Sequence, residues 1–360
     1  GLTRRHRSSE GVGVTPVRTS TRMRTAVCRS SVLERSQPVV AAPEGPRADG
    51  CGRNHAALVV DTTDQLLAAA VPFLAAGLSA GDLVVLTCPP ARAELVRREL
   101  GERAGDVRSD ARVSLLDTRA PDALVAVRAL LARAADRGST RVRLLGETQF
   151  GLAPRDWREG QRYEAVVNVL LATAPIHAMC VYDRQLLPPQ IVDSGLATHP
   201  AVVVGGVVRP NPAFQDPADY LARLPLPREL LEDDAPVFVV DEARALAPLR
   251  HQLAAVLATC VPDRDRGEDM HLAVSEIAAN AFRHGAPPVA ARVWADAGRV
   301  VCTITDRGTG YDDLLAGFQP AHGADLSRGG MGLWLARKLW DHVDLLPGPG
   351  GTTVRLSSRI

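Results

Sequence analysis

The stretch that decides the fold of the C-terminal part of the chain is Glu276-Ile-Ala-Ala-Asn280-Ala-Phe-Arg-His284-Gly285. Its polar residues Glu276, Asn280 and His284 are four positions apart, and on a helix this spacing places them on one face within about 80° of arc. A solvated polar stripe on an amphipathic helix would show the same spacing. The segment therefore has to be interpreted together with the two glycine-containing segments that follow it.

The first of these later segments is Asp306-Arg-Gly308-Thr-Gly310. It places a carboxylate directly before a glycine turn, where the backbone can approach a ligand closely. That carboxylate can accept a hydrogen bond from the exocyclic amine of adenine. Taken alone, the segment is equally compatible with an ordinary Asp-Arg-Gly β-turn.

The second is Gly329-Gly330-Met-Gly332-Leu333, a glycine-rich loop before an apolar helix start. Backbone N–H groups at such a helix start can bind phosphates. Arg328, directly before it, can contact a terminal phosphate with two hydrogen bonds. The three segments in this order predict a nucleotide pocket.

Two side-chain oxygens in the first segment suit the chemistry of phosphate transfer. Asn280 offers a neutral oxygen to Mg²⁺, and Glu276 can accept a proton from an attacking hydroxyl or water. Thr352 can place a hydroxyl near the base or be an ordinary strand residue. The only lysine, Lys338, precedes Leu339, so the chain has neither a Walker A motif nor the strand lysine of eukaryotic-type kinases.

The composition predicts a globular protein of two domains. The chain has 360 residues, of which 46% are hydrophobic and 23% charged. Its net charge of +1 argues against a broad nucleic-acid surface, and no apolar run reaches the roughly 18 residues of a membrane span. Six scattered cysteines without a Cys-x-x-Cys pair are typical of reduced thiols, so we expect a cytoplasmic protein.

The pattern of elements changes along the chain. Residues 1–52 are predicted to be a disordered basic leader, and residues 212–235 a linker with a short helical piece. Residues 53–211 alternate strands with helices, which predicts an α/β domain with a mostly parallel sheet. Residues 236–360 group helices with antiparallel hairpins and predict an α+β domain.

The individual elements are predicted as follows. In the first domain we expect strands at 56–61, 82–88, 113–117, 141–146, 177–182 and 202–208, and helices at 64–78, 91–100, 123–135 and 157–172. In the second we expect strands at 237–240, 289–295, 299–305, 343–346 and 352–357, and helices at 246–260, 266–283 and 331–340.

Polar residues also follow the strands of the first domain. Glu147 and Asp183 are expected at the carboxyl ends of parallel strands, where ligands commonly bind, and Glu164 is expected on the helix between them. They can hold a ligand or a metal, or they can be capping and buried-network residues. Cys180 can respond to redox state, although a buried strand cysteine is usually inert.

With the three segments above, residues 240–360 resemble the GHKL ATPase superfamily, and within it the anti-sigma-factor serine/threonine kinases of bacterial partner-switching systems. The resemblance implies a Bergerat fold (a histidine-kinase-like ATPase α+β sandwich) that binds ATP and Mg²⁺. It implies that Glu276 is the general base, Asn280 the Mg²⁺ ligand and Asp306 the adenine contact. The remaining nucleotide contacts that it implies are His284, Gly308, Gly310, Arg328, Gly329, Gly330, Gly332, Leu333 and Thr352.

Residues 53–211 resemble the MEDS sensory domain. The resemblance rests on Gly146-Glu147, Tyr163-Glu164 with Asn168, Cys180-Val-Tyr182-Asp183, His55 and His199-Pro200. It implies a RecA-like α/β module used for sensing and often paired with anti-sigma kinase domains. The phosphate loop of RecA-like ATPases is missing, which favours sensing over hydrolysis.

Together the two resemblances imply an ATP-dependent anti-sigma factor that phosphorylates its STAS-type antagonist and thereby controls a sigma factor. The net charge and the short apolar runs predict no direct contact with nucleic acid or membrane, and the resemblance allows a homodimer. A sensor histidine kinase would need a phosphoacceptor His beside an acidic residue in a helical hairpin, and His251 has no such neighbour. A non-catalytic, ATP-gated binding switch stays open as an alternative.

Overall fold

The computed structural model describes residues 54–116, 118–151, 153–308, 313, 315–320, 331–348 and 350–360. The predicted leader and the predicted site residues Gly310, Arg328, Gly329 and Gly330 lie outside these ranges. Within them, no helix is long and apolar enough to cross a membrane.

The N-terminal domain contains a seven-stranded sheet in the order β3-β2-β4-β5-β1-β6-β7. Neighbouring strands are parallel except for the hairpin β6–β7. On β2, Val84 and Leu86 join one apolar cluster while Leu83 and Val85 join another, so both faces of the sheet are covered. The strands are β1 His55–Val60, β2 Leu83–Thr87, β3 Arg108–Ser109, β4 Val142–Gly146, β5 Ile176–Asp183, β6 Ala201–Val204 and β7 Val207–Pro210.

The helices of this domain are mostly amphipathic, and five of the six described here begin at or beside a proline. Proline suits the first helical turn because its missing N–H would have no partner there. The helices are α1 Thr63–Ser79, α2 Pro90–Leu100, α3 Ala120–Asp136, α4 Pro154–Leu170, α5 Pro189–Thr198 and α6 Pro217–Arg223.

Two of the predicted strands were wrong. The region predicted as a strand at 113–117 contains the end of a 3-10 helix, Ala111–Ser114, which begins where Asp110 accepts a hydrogen bond from the Arg112 backbone N–H. The predicted strand 202–208 is the hairpin β6–β7. Gly205 and Gly206 form its turn with φ of 58° and 76°, a conformation that favours glycine. Helix α5 was not predicted.

The C-terminal domain contains a five-stranded antiparallel sheet in the order β11-β12-β10-β9-β8. Side chains of the helices, such as Leu253, Met270 and Ala336, form one core with Val300 and Leu356 of the sheet. The strands are β8 Phe238–Ala243, β9 Val289–Ala295, β10 Arg299–Asp306, β11 His342–Gly348 and β12 Gly351–Arg359, and the helices are α7 Leu246–Cys260, α8 Arg264–Arg283 and α9 Gly332–Leu339.

The predicted fold classes, α/β followed by α+β, are therefore confirmed. The segment predicted as a linker contains α6 and a 3-10 helix, Leu230–Asp233. The domain limits at residues 211 and 235 stay predictions.

Helices α3 and α4 of the N-terminal domain pack directly on the C-terminal domain. Phe318 is 1% exposed and lies in an apolar cluster with Leu124 of α3 and with Tyr163 and Val166 of α4. On α3, Asp122 pairs with Lys338 of α9 at 2.7 Å. The contact between the domains is therefore apolar at Phe318 and charged around it.

Candidate functional site

A cavity of about 600 Å³ lies where α8, β10 and α9 meet. Four of the predicted site residues line it: Asn280, His284, Asp306 and Leu333. Helix α4 of the N-terminal domain contributes Val169 and Leu170 to the same wall. The wall is completed by Gly285, Asp313, Leu315, Ala316, Gly317, Gln319 and Pro320.

Asp306 ends β10 and lies against Gly285. A Cβ atom at position 285 would collide with the Asp306 carboxyl group and lie 2.6 Å from the backbone oxygen of Ala281. Oδ1 of Asp306 accepts the Gly308 N–H at 2.7 Å, which is the Asp-Arg-Gly turn that the sequence allowed. Because this turn uses one carboxylate oxygen, Oδ2 is the atom suited to contact a base.

Asn280 lies against the first residue of α9. A Cβ atom on Gly332 would lie 2.5 Å from Nδ2 of Asn280 and 3.3 Å from the backbone oxygen of Glu276. A side chain at position 332 would therefore displace the Asn280 amide group, because the two helices approach closely here. This contact brings the first and third sequence segments together.

Two other predicted residues, Glu276 and Thr352, do not line the cavity. The Glu276 carboxylate pairs with Nη2 of Arg250 on α7 at 3.3 Å, and its side chain is 33% exposed. Thr352 is buried on β12 directly opposite Asp306. His284 does line the cavity, but it follows the last residue of α8, and its N–H is bonded to the Asn280 carbonyl at 2.8 Å.

The three carboxylates predicted as candidate ligands in the N-terminal domain, Glu147, Asp183 and Glu164, do not all lie together. Arg92 pairs with both Glu147 and Asp183 at 2.9 Å, so those two carboxylates are held in an ion-pair network. Burial raises the pKa of Glu147. Glu164 instead contacts His55 and the residues described next.

Glu164, His55, Cys180 and His199 form a compact cluster in this domain. Oε2 of Glu164 lies 3.4 Å from Nε2 of His55 and 3.6 Å from Nε2 of His199, and Sγ of Cys180 lies 3.4 Å from Nε2 of His55. Burial lowers the pKa of His199 to about 3 and raises that of Cys180 well above its ordinary value. His55, Glu164 and Cys180 also border a mostly apolar cavity of about 360 Å³.

Comparison with protein families assigns both domains. Residues 54–200 match the MEDS family, described as MEthanogen/methylotroph, DcmR Sensory domain. Residues 239–358 match the histidine kinase-like ATPase domain. The chain thus carries an N-terminal MEDS domain followed by a histidine-kinase-like ATPase domain, a pair that supports an ATP-dependent signalling protein. No curated protein matches the chain significantly.

Sequence reasoning missed four residues that line the cavity or lie beside it. In the sequence, Gly285 is only the end of the helical segment, whereas in the structure the Asp306 carboxyl group occupies the space where a Cβ would lie. Arg250 carried no signal, because its partner Glu276 lies on another helix. Val169 and Leu170 had no signal either, since they belong to the other domain.

Proposed function

We propose that the protein is an anti-sigma factor with serine/threonine kinase activity, controlled by its MEDS domain. It transfers the γ-phosphate of Mg-ATP to a serine or threonine of a STAS-type antagonist. The observation that carries this proposal is the single cavity that gathers Asn280, His284, Asp306 and Leu333 and includes Val169 and Leu170 of α4 in its wall.

The cavity suits an adenine nucleotide. Asp306 is 9% exposed and presents a carboxylate oxygen to the adenine amine, and a buried hydrogen bond of this kind discriminates strongly against a base that lacks the donor. The helix start at Gly332 is in contact with Asn280, so phosphates bound at this helix start would lie beside the Asn280 side chain.

Asn280 fits Mg²⁺ as one oxygen ligand of an octahedral shell that is otherwise made of phosphate oxygens and water. When bound, Mg²⁺ supplies neutralisation of the phosphate charge. A single neutral amide oxygen would hold the ion weakly without nucleotide, so we expect Mg²⁺ to bind together with ATP.

Glu276 is proposed as the general base. It would take the proton of the attacking hydroxyl as the oxygen–phosphorus bond forms and the bond to the β-phosphate oxygen breaks, releasing ADP. Arg250 now holds the Glu276 carboxylate at 3.3 Å, so a protein substrate must share or displace that pair. Because this pair occupies the proposed base, it favours a second candidate function, in which ATP binding only switches the binding of a partner.

Two observations support transfer to a partner over a histidine kinase. His251 is exposed on α7, with Arg250 and Gln252 beside it and no acidic neighbour. Between β6 and β8, the described chain forms β7, the seven-residue α6 and a 3-10 helix, with no pair of long helices to carry a phosphoacceptor.

Helix α4 provides a direct route for control by the MEDS domain. Tyr163, Glu164 and Val167 line the N-terminal cavity, while Val169 and Leu170 line the nucleotide cavity. A ligand that moves this helix therefore changes the walls of both cavities. Such a helix has the contacts with both sites that coupling requires.

The proposal is tested by incubating the full chain with Mg-ATP and a panel of STAS-type antagonists. We expect acid-stable phosphoserine or phosphothreonine on an antagonist. Glu276→Gln should abolish transfer and keep ATP binding, whereas Asp306→Asn should weaken ATP binding itself. Glu268→Gln is the matched control, because Glu268 lies on the same helix and is exposed.

Other outcomes would overturn the kinase assignment. ATP-dependent binding of an antagonist without phosphate transfer would establish the switch. Acid-labile phosphate on the chain itself would establish a histidine kinase. ATP binding that is unchanged in Asp306→Asn would reject the nucleotide cavity.

A further inference from the structure

The cluster of His55, Glu164, Cys180 and His199 has a donor set that the proposed kinase chemistry does not use. These residues lie at the start of β1, on α4, on β5 and just before β6. One potential ligand atom from each lies within 4.8 Å of all the others. The set comprises two imidazole nitrogens, a thiol sulfur and a carboxylate oxygen, all of which are ligands of transition metals.

Three of the separations between these ligand atoms match those around a tetrahedral ion, and all of them are within 4.8 Å. Bonds of about 2.0–2.3 Å from a zinc ion to nitrogen, oxygen and sulfur place neighbouring ligand atoms about 3.3–3.6 Å apart. The distances from Glu164 to His55, from Glu164 to His199 and from His55 to Cys180 are 3.4, 3.6 and 3.4 Å. A charge-assisted hydrogen bond would instead bring these atoms to about 2.7–2.9 Å.

Two of the four atoms that face the centre of the cluster lack hydrogen-bond partners. Oε2 of Glu164 and Nε2 of His199 are both buried and unpaired among the described residues. The two residues are 1% and 0% exposed, respectively. Buried polar atoms without partners are costly, and a bound cation would satisfy both.

In His199, His55 and Glu164, a hydrogen bond holds the polar atom that faces away from the centre of the cluster. Nδ1 of His199 donates to the Gly195 carbonyl at 2.8 Å, and Nδ1 of His55 donates to Oδ1 of Asn168 at 3.0 Å. Thr148 donates to Oε1 of Glu164. Both imidazoles therefore direct Nε2 into the cluster, which is the arrangement of ligands around protein-bound metals.

We propose that His55, Glu164, Cys180 and His199 bind one divalent transition metal ion, with zinc as the preferred ion. Binding displaces the thiol proton of Cys180 to solvent and leaves a thiolate ligand. Since His55, Glu164 and Cys180 also border the 360 Å³ cavity, the ion would lie at the wall of the sensory domain's own pocket.

The test uses the full chain, stripped of metal with a chelator and titrated with Co²⁺ as a spectroscopic substitute for Zn²⁺. We expect one equivalent to bind, with the visible bands of tetrahedral cobalt and a thiolate-to-cobalt charge-transfer band. Zn²⁺ should then displace the cobalt. Cys180→Ser should remove the charge-transfer band, and His199→Ala should weaken both metals.

Two further variants separate metal binding from a structural role. Cys88→Ser is the matched control, because Cys88 is also buried in this domain, and it should keep the charge-transfer band. Thr148→Val removes only the hydrogen bond to Glu164 and should weaken zinc binding by about 10–100-fold. Circular dichroism of each variant establishes that it is folded.

Three results would overturn the proposal. They are no stoichiometric binding of either metal by the folded wild-type chain, a charge-transfer band that survives in Cys180→Ser, and zinc affinity that is unchanged in Thr148→Val. If His199→Ala does not fold, the wild-type titration, Cys180→Ser and Thr148→Val still decide the question.

Discussion

Arg162 and Asp344 form an ion pair between the two domains, with 2.6 Å between Nη2 of the arginine and Oδ1 of the aspartate. Asp344 is 1% exposed and also accepts hydrogen bonds from Arg158 at 2.8 Å and Arg355 at 2.7 Å. Burial alone would raise the pKa of Asp344, but Arg162 and Arg158 outweigh it and hold the pKa below its ordinary value. This pair fixes helix α4 against strand β11.

Replacing Asp344 should strongly destabilise the protein. In Asp344→Asn, the guanidinium groups of Arg158, Arg162 and Arg355 stay buried without their shared carboxylate, which costs about 3–5 kcal/mol. Urea denaturation at neutral pH measures the loss. The control is Asp241→Asn, whose exposed pair with Arg292 should contribute less than about 1 kcal/mol. Equal losses in the two variants would contradict this account.

The same carboxylate predicts the effect of acid. A group whose folded pKa lies below its unfolded pKa stabilises the protein above the unfolded value, about 3.9 for aspartate, and loses that contribution as pH falls below it. The free energy of unfolding should therefore fall steeply below about pH 4. The acid limb should be shallower in Asp344→Asn, as measured by denaturation across pH. Parallel profiles for the two proteins would argue against this role.

Phe318 should link stability with nucleotide affinity. It packs on α3 and α4, Arg337 lies over its ring at 4.3 Å, and its neighbours Gly317 and Gln319 line the nucleotide cavity. Phe318→Ala should cost about 3–5 kcal/mol and lower ATP affinity, because the cavity wall loses its anchor. Denaturation and calorimetric titration measure the two effects.

The control for Phe318 is Val237→Ala, because Val237 is 54% exposed. That change should leave both stability and ATP affinity nearly unchanged. Normal ATP affinity in a folded Phe318→Ala protein would separate the domain contact from the cavity.

The elements that could be predicted are those with strong local signals. Helix α8 was predicted to within two residues at its start, where the Asp263 side chain accepts from the Arg266 N–H, and to the residue at its end. The 3-10 helix Ala111–Ser114 was mistaken for a strand because Val113 is apolar and β-branched. Its packing against α3 is a tertiary effect that no local pattern carries.

The two candidate sites differ in the same way: one has a local sequence signal and the other does not. Asn280 and Asp306 stand in short segments whose chemistry is visible locally, and both line the cavity. The cluster around Glu164 has no such segment, because its members are distant in sequence. Strand β1 lies between β5 and β6, and this order brings His55 beside Cys180 and His199. Sequence spacing does not reveal that order.

Gly285 gives the sharpest test of the nucleotide cavity. In Gly285→Ala, the new Cβ would collide with the Asp306 carboxyl group and lie 2.6 Å from the Ala281 backbone oxygen. The first contact displaces the Asp306 carboxyl group, and the second cannot be relieved by a side-chain rotation, so the backbone must shift as well. ATP affinity should fall at least about tenfold, or 1.4 kcal/mol, in a calorimetric titration.

Gly298→Ala is the matched control for this prediction, because among the described residues, apart from its chain neighbours, only Oδ1 of Asp296 at 3.9 Å would lie near its new Cβ. That variant should bind ATP like the wild type. If Gly285→Ala is folded and binds ATP normally, the position of Asp306 does not determine affinity, and the base must be held elsewhere. If Gly285→Ala and Asp306→Asn lose affinity equally and their double variant loses no more, both act through one contact. That contact is then made by the Asp306 carboxylate, as the proposed hydrogen bond to the adenine amine requires.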